Sequence, residues 1–82
     1  MMKVRVQFFS QLRDLTGAPE LDVDLAEGAT VADLLEKIYQ KTSALRAHDK
    51  TTLVGAGVEF VDRNYVIKPG DDISIMPPVQ GG

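Results

Sequence analysis

The chain has 82 residues, 44% of them hydrophobic, and a net charge of −3; this suits one small globular domain and argues against a nucleic-acid backbone as the partner. Its lack of cysteine excludes disulfides, cysteine-ligated iron–sulfur clusters, thiolate zinc sites and a cysteine nucleophile, and a lone histidine, His48, makes neither a triad nor a metal site. No apolar run approaches a membrane span and Met1-Met2-Lys3-Val4-Arg5 does not read as a secretory signal, so a cytoplasmic protein with no membrane partner is expected.

Residues 2–9 alternate, with Val4, Val6 and Phe8 on one side and Lys3, Arg5 and Gln7 on the other, which predicts a half-buried strand. Phe9 breaks the alternation and places a large apolar group on the polar side. Ser10 is expected to cap a short helix over 11–16 that ends at Gly17, with Leu12 and Leu15 facing the core. Pro19 blocks any continuation. Leu21, Val23 and Leu25 alternate with Asp22 and Asp24 as a second strand, and a turn follows at Ala26-Glu27-Gly28.

Thr30 opens the clearest helix, with Asp33 placed for a capping box. Val31, Leu34, Leu35 and Ile38 form its core stripe, while Glu36, Lys37, Gln40 and Lys41 belong to a solvated face. Periodicity fails over 43–52, which predicts a loop with His48 in solvent. Residues 53–58 read as a third strand in which Gly55 and Gly57 mark a bulge or a close backbone approach. The strand signal continues weakly over 59–62. Residues 65–67 read as another short strand, Pro69-Gly70 as a type II turn, and 73–76 as the last strand, with Ile73 and Ile75 inward and Ser74 and Met76 outward.

This element order predicts an α+β domain over 1–76, a mixed sheet wrapped around one main helix, as in the β-grasp or ubiquitin-like architecture. Its terminal strands are expected to lie side by side. Residues 77–82, Pro77-Pro78-Val79-Gln80-Gly81-Gly82, then read as an extended, flexible reactive tail. The prolines lack backbone N–H groups and fix φ, so they stop strand pairing and stiffen the exit. The glycines allow a thin end to thread a narrow slot. A carboxylate becomes an electrophile once adenylated, and a thiocarboxylate formed from it is ionised and nucleophilic at neutral pH. Nothing else in the chain composes a self-contained active site, so catalytic groups are expected from partners. Outward Phe9 and Met76, joined by Phe60, are expected to form an apolar docking face edged by Lys3, Arg5 and Arg13.

Four segments carry a family resemblance. Val6-Gln7-Phe8-Phe9-Ser10-Gln11-Leu12-Arg13-Asp14-Leu15-Thr16-Gly17, Thr30-Val31-Ala32-Asp33-Leu34-Leu35, Pro69-Gly70-Asp71-Asp72-Ile73 and, above all, Met76-Pro77-Pro78-Val79-Gln80-Gly81-Gly82 are similar to the small subunits of molybdopterin synthase, a family of ubiquitin-like sulfur carriers. Met76 stands where that family has an aromatic residue, and Gly55-Ala56-Gly57-Val58-Glu59 where it often has an Asn-Gly segment. The resemblance implies that Gly82 carries the thiocarboxylate. It also implies an ATP-using, ubiquitin-activating-like adenylating enzyme, a sulfur donor protein, and a large synthase subunit that takes up Gly81 and Gly82, with Phe9, Phe60, Met76, Pro77, Pro78, Val79 and Gln80 contacting partners. No cofactor is expected on the chain itself. The same ending also suits a carrier for thiamine synthesis or tRNA thiolation and a protein modifier; a plain β-grasp interaction module is the remaining alternative.

Overall fold

A computed structural model describes residues 1–78. In chain order the elements are β1 (Met2–Phe8), α1 (Gln11–Thr16), β2 (Glu20–Leu25), α2 (Val31–Lys41), a 3₁₀ segment (Ser43–Thr51), β3 (Leu53–Ala56), β4 (Glu59–Val61) and β5 (Asp72–Met76). The strands form one sheet in the order β2-β1-β5-β3-β4. β1 and β5 are parallel, and the other neighbours are antiparallel. The first and last strands therefore lie side by side, as the β-grasp reading requires.

One core joins the sheet's inner face to α2. Val4, Val6, Phe8, Val23, Leu25, Val54, Ile73 and Ile75 from the strands pack with Val31, Leu34, Leu35 and Ile38. Burying these apolar side chains drives the fold, each contributing about 1.5–3 kcal/mol before chain entropy is subtracted. Tyr39 adds to the helix stripe and is buried as well. Thr30 and Asp33 form the expected capping box: the Asp33 N–H donates to Thr30 Oγ1, and Asp33 Oδ2 accepts from the Thr30 N–H at 2.9 Å. No helix among the described residues is long and apolar enough to cross a membrane.

Several sequence-based expectations need correction. Ser10 makes no capping hydrogen bond; it sits at φ 53° and ψ −135°, outside any capping geometry. Leu15 is 39% exposed, so α1 buries Leu12 alone. Residues 43–51 form a 3₁₀ helix rather than a loop and bury Leu45. His48 there is half-buried, and its carbonyl accepts from the hydroxyls of Thr51 and Thr52. β3 ends at Ala56 because Gly57 and Val58 make a two-residue hairpin turn. Gly57 takes φ 63° at the position where such a turn requires it, so this glycine marks neither a bulge nor a close approach. Residues 65–67 form an isolated bridge between Val66 and Thr30 instead of a strand. Their neighbourhood is spent on α2: the N–H groups of Val31 and Ala32 donate to the carbonyls of Tyr65 and Arg63. Those are first-turn donors that have no partner within the helix itself.

The turn at Pro69-Gly70 is present, closed by the Asp71 N–H on the Lys68 carbonyl at 3.1 Å, with Gly70 at φ 88°. β5 follows with Ile73 and Ile75 inward and Ser74 and Met76 outward and half-buried. Strand pairing stops at Met76, opposite Leu53, and Pro77 and Pro78 continue half-buried. Val79, Gln80, Gly81 and Gly82 lie outside the described residues.

Candidate functional site

Among the described residues the outer face of the sheet carries no helix, and its register determines which side chains meet there. Gln7 on β1 lies beside Ser74 on β5, Ser74 opposite Gly55 on β3, and Gly55 opposite Phe60 on β4, making one row across four strands. In the next row Met76 lies opposite Leu53. Phe9, one residue beyond the Phe8–Ile75 pair, donates its N–H to the Ile75 carbonyl at 3.1 Å and comes alongside Met76.

Phe9, Phe60 and Met76 thus converge, as the sequence suggested, on one depression of about 210 Å³. Phe9 is 43% and Phe60 67% exposed, while Met76 is half-covered. Val58, at the tip of the β3–β4 hairpin, adds a fully exposed apolar side chain to the rim. Glu59 is the one charged residue that lines the depression among the described residues. Large apolar groups left contiguous in water mark a surface for a partner. Sequence reasoning set the 55–59 segment near the docking surface and turned Ser74 outward, but it did not name Gly55, Val58 and Ser74 as the floor and rim that they complete. The signals that pointed to them are the glycine inside a strand pattern at 55 and the strand alternation that turns Ser74 outward.

The basic residues do not edge this face as expected. Lys3 and Arg5 line a separate depression with Asp22, Asp71 and Asp72, and Arg5 lies 3.6 Å from Asp22. Arg13 stays exposed on α1 and takes no part in the lining.

A larger cleft of about 540 Å³ lies on the opposite side, between α2 and the 3₁₀ segment. Most of its ionisable groups are cross-linked, but Arg63 Nη1 is buried without a hydrogen bond, 3.6 Å from Asp49 Oδ1. Tyr39 donates its hydroxyl proton to Asp49, and its pKa is pushed up to about 12, first by burial and then by that hydrogen bond and the Asp49 charge. Arg63 donates to the carbonyls of Asp49 and Thr52. Arg46 pairs with Glu36 at 2.8 Å and lies 5.2 Å from the centre of the Tyr39 ring. This arrangement fastens the 3₁₀ segment to α2. No group of three or more metal-ligating His, Cys, Asp or Glu residues occurs among the described residues.

The apolar depression has one further property: Met76 is both its wall and the last strand residue before Pro77 and Pro78. The tail therefore departs from the rim of the docking face. The proposed reactive end, Gly81 and Gly82, and the preceding Val79 and Gln80 lie outside the described residues.

A family model described as the ThiS family matches residues 6–82. The molybdopterin synthase sulfur carrier subunit of Chlamydomonas reinhardtii is 32% identical over 83 residues, covering 99% of this chain and 100% of the relative. The solved structure of a putative molybdopterin converting factor, subunit 1, from Pyrococcus furiosus is similar at a TM-score of 0.87 and 29% identity, covering 96% of this chain and all of that one. A chain in a complex of subunits 1 and 2 of the molybdopterin-converting factor from Helicobacter pylori is similar at a TM-score of 0.69 and 27% identity, covering 99% of this chain and 100% of that one.

Proposed function

The chain belongs to the ThiS family, and from that premise we propose that it is a sulfur carrier for molybdenum cofactor biosynthesis, acting as the small subunit of molybdopterin synthase. The observation that carries this reading is the placement of the apolar depression of Phe9, Phe60 and Met76 beside the strand end that leads into Pro77-Pro78-Val79-Gln80-Gly81-Gly82. A partner seated on this face is positioned to receive the tail. The pairing of subunits 1 and 2 in the Helicobacter pylori complex supports a large subunit in that role.

The chemistry resides at Gly82. An adenylating enzyme of ubiquitin-activating type uses ATP to convert the carboxylate to an acyl adenylate. A sulfide equivalent from a sulfur donor protein then displaces AMP, the carbon–sulfur bond forming as the carbon–oxygen bond to phosphate breaks. The resulting thiocarboxylate is the nucleophile delivered to the large subunit, which supplies the catalytic groups. Pro77 and Pro78 reduce the entropy lost when the tail enters a pocket, and the glycines keep the reactive end slender.

Incubation with ATP, a sulfur donor and the cognate adenylating enzyme should raise the mass of the chain by roughly 16 Da, the exchange of oxygen for sulfur. Deleting Gly82 or extending the C-terminus with a tag should abolish the gain. An intact mass spectrum without the heavier species would overturn the reading.

A further inference from the structure

Gly55 occupies a place where neither backbone nor crowding calls for glycine. It is buried in β3 and has no positive φ, so any residue can adopt its conformation. A Cβ added there would lie 3.4 Å from Met76 Cε, 3.5 Å from the Glu59 carbonyl oxygen and 3.9 Å from Ser74 Cβ, all ordinary contacts. Glycine inside a strand gives up chain entropy and packing, yet here it relieves no clash that alanine would create. A larger side chain at 55 would push the Met76 methyl aside and fill the space that it borders. That space is the depression between Phe60, Ser74, Met76 and Phe9.

We propose that Gly55 is a specificity-determining position, the floor of a hole that admits a single apolar side chain from the partner that receives the tail. The inference deepens the sulfur-carrier reading and rests on it. The size of the hole suits one large aliphatic or aromatic side chain and is too small for a helix. Its walls are Phe9, Phe60 and Met76, and Glu59, the one charged lining residue among the described residues, disfavours an acidic insert. Met76 adapts the opening: its unbranched thioether ends over Gly55 and swings aside at little cost. The occupant follows from continuity. Because Met76 also precedes Pro77, a protein that takes up the tail lies across this opening.

The test is calorimetric titration of the full-length chain with the large subunit of molybdopterin synthase. Gly55→Val should raise Kd by about tenfold, as expected for blocking a central apolar anchor. Gly55→Ala should give a smaller increase. Thermal melts of both variants should match the wild type, or rise, since valine favours strands. If glycine merely seats Met76, the melting temperature falls while Kd stays within about twofold, and the inference is overturned. Should Gly55→Val fail to fold, Gly55→Ala decides alone, with an unchanged Kd counting against the proposal. Failure of the wild-type chain to bind the large subunit would overturn the functional reading itself, and the inference with it; binding that is insensitive to residue 55 overturns the inference only.

Discussion

Ser10 holds φ 53° and ψ −135° without a side-chain capping hydrogen bond in return. Such a backbone costs a non-glycine residue about 1–3 kcal/mol. It redirects the chain between Phe9 and α1, so that Leu12 enters the core while Phe9 stays on the outer face. Ser10→Gly should stabilise the protein by about 1 kcal/mol, the relief of strain exceeding the entropy glycine adds to the unfolded chain. A higher urea midpoint at unchanged slope is the expected reading. Sequence logic assigned Ser10 to a cap from its residue type, which carries no information about a left-handed φ. The same logic placed Phe9 and Met76 outward correctly, because period two in a strand fixes the face of every residue. Leu15 was misplaced because α1 has only six residues and too few turns to define a stripe.

Among the elements, α2 was legible from Thr30 onward, since its cap and its 3.6-residue period agree. The 3₁₀ segment was not, because it lacks the i, i+3, i+4 stripe that reports a helix. Its attachment runs through Tyr39 and Asp49. Tyr39 has its pKa pushed from the ordinary 10.0 up to about 12, first by burial and then by the hydrogen bond to Asp49. Its contribution is therefore complete below pH 10 and lost as pH rises towards 12, where the unfolded chain has already released the proton and the folded one retains it. Tyr39→Phe should lower stability at neutral pH by about 1 kcal/mol, the net worth of one hydrogen bond, and should flatten the decline above pH 10. Denaturation midpoints followed from pH 8 to pH 12 provide the check. Tyr65, whose pKa is also raised, chiefly by its hydrogen bond to Asp71, retains part of that decline in the variant. The stretch read as a strand at 65–67 failed for a related reason: its β-branched and aromatic residues suit a sheet, but neighbouring carbonyls are taken by the first turn of α2.

The whole molecule keeps its core between Met2 and Ile75. A chain ending at Pro78 should therefore melt within about 2 °C of the full-length protein, while gaining no sulfur from the adenylating enzyme. Differential scanning calorimetry and the mass assay together measure both halves of this expectation. The architecture was readable because local signals and global order agreed along most of the chain. The hole above Gly55 was not readable, since Phe9, Met76, Gly55 and Phe60 converge only through the register of β1, β5, β3 and β4.

β5 is flanked on both sides, paired to β1 over Arg5–Phe8 and to β3 over Leu53–Ala56. Tension applied to the exit at Pro77 is thus resisted by two ladders whose bonds run across the line of pull and share the load. A tug on the tail hauls the domain along as a body instead of unravelling it, so a partner's grip can be broken without dismantling what it held.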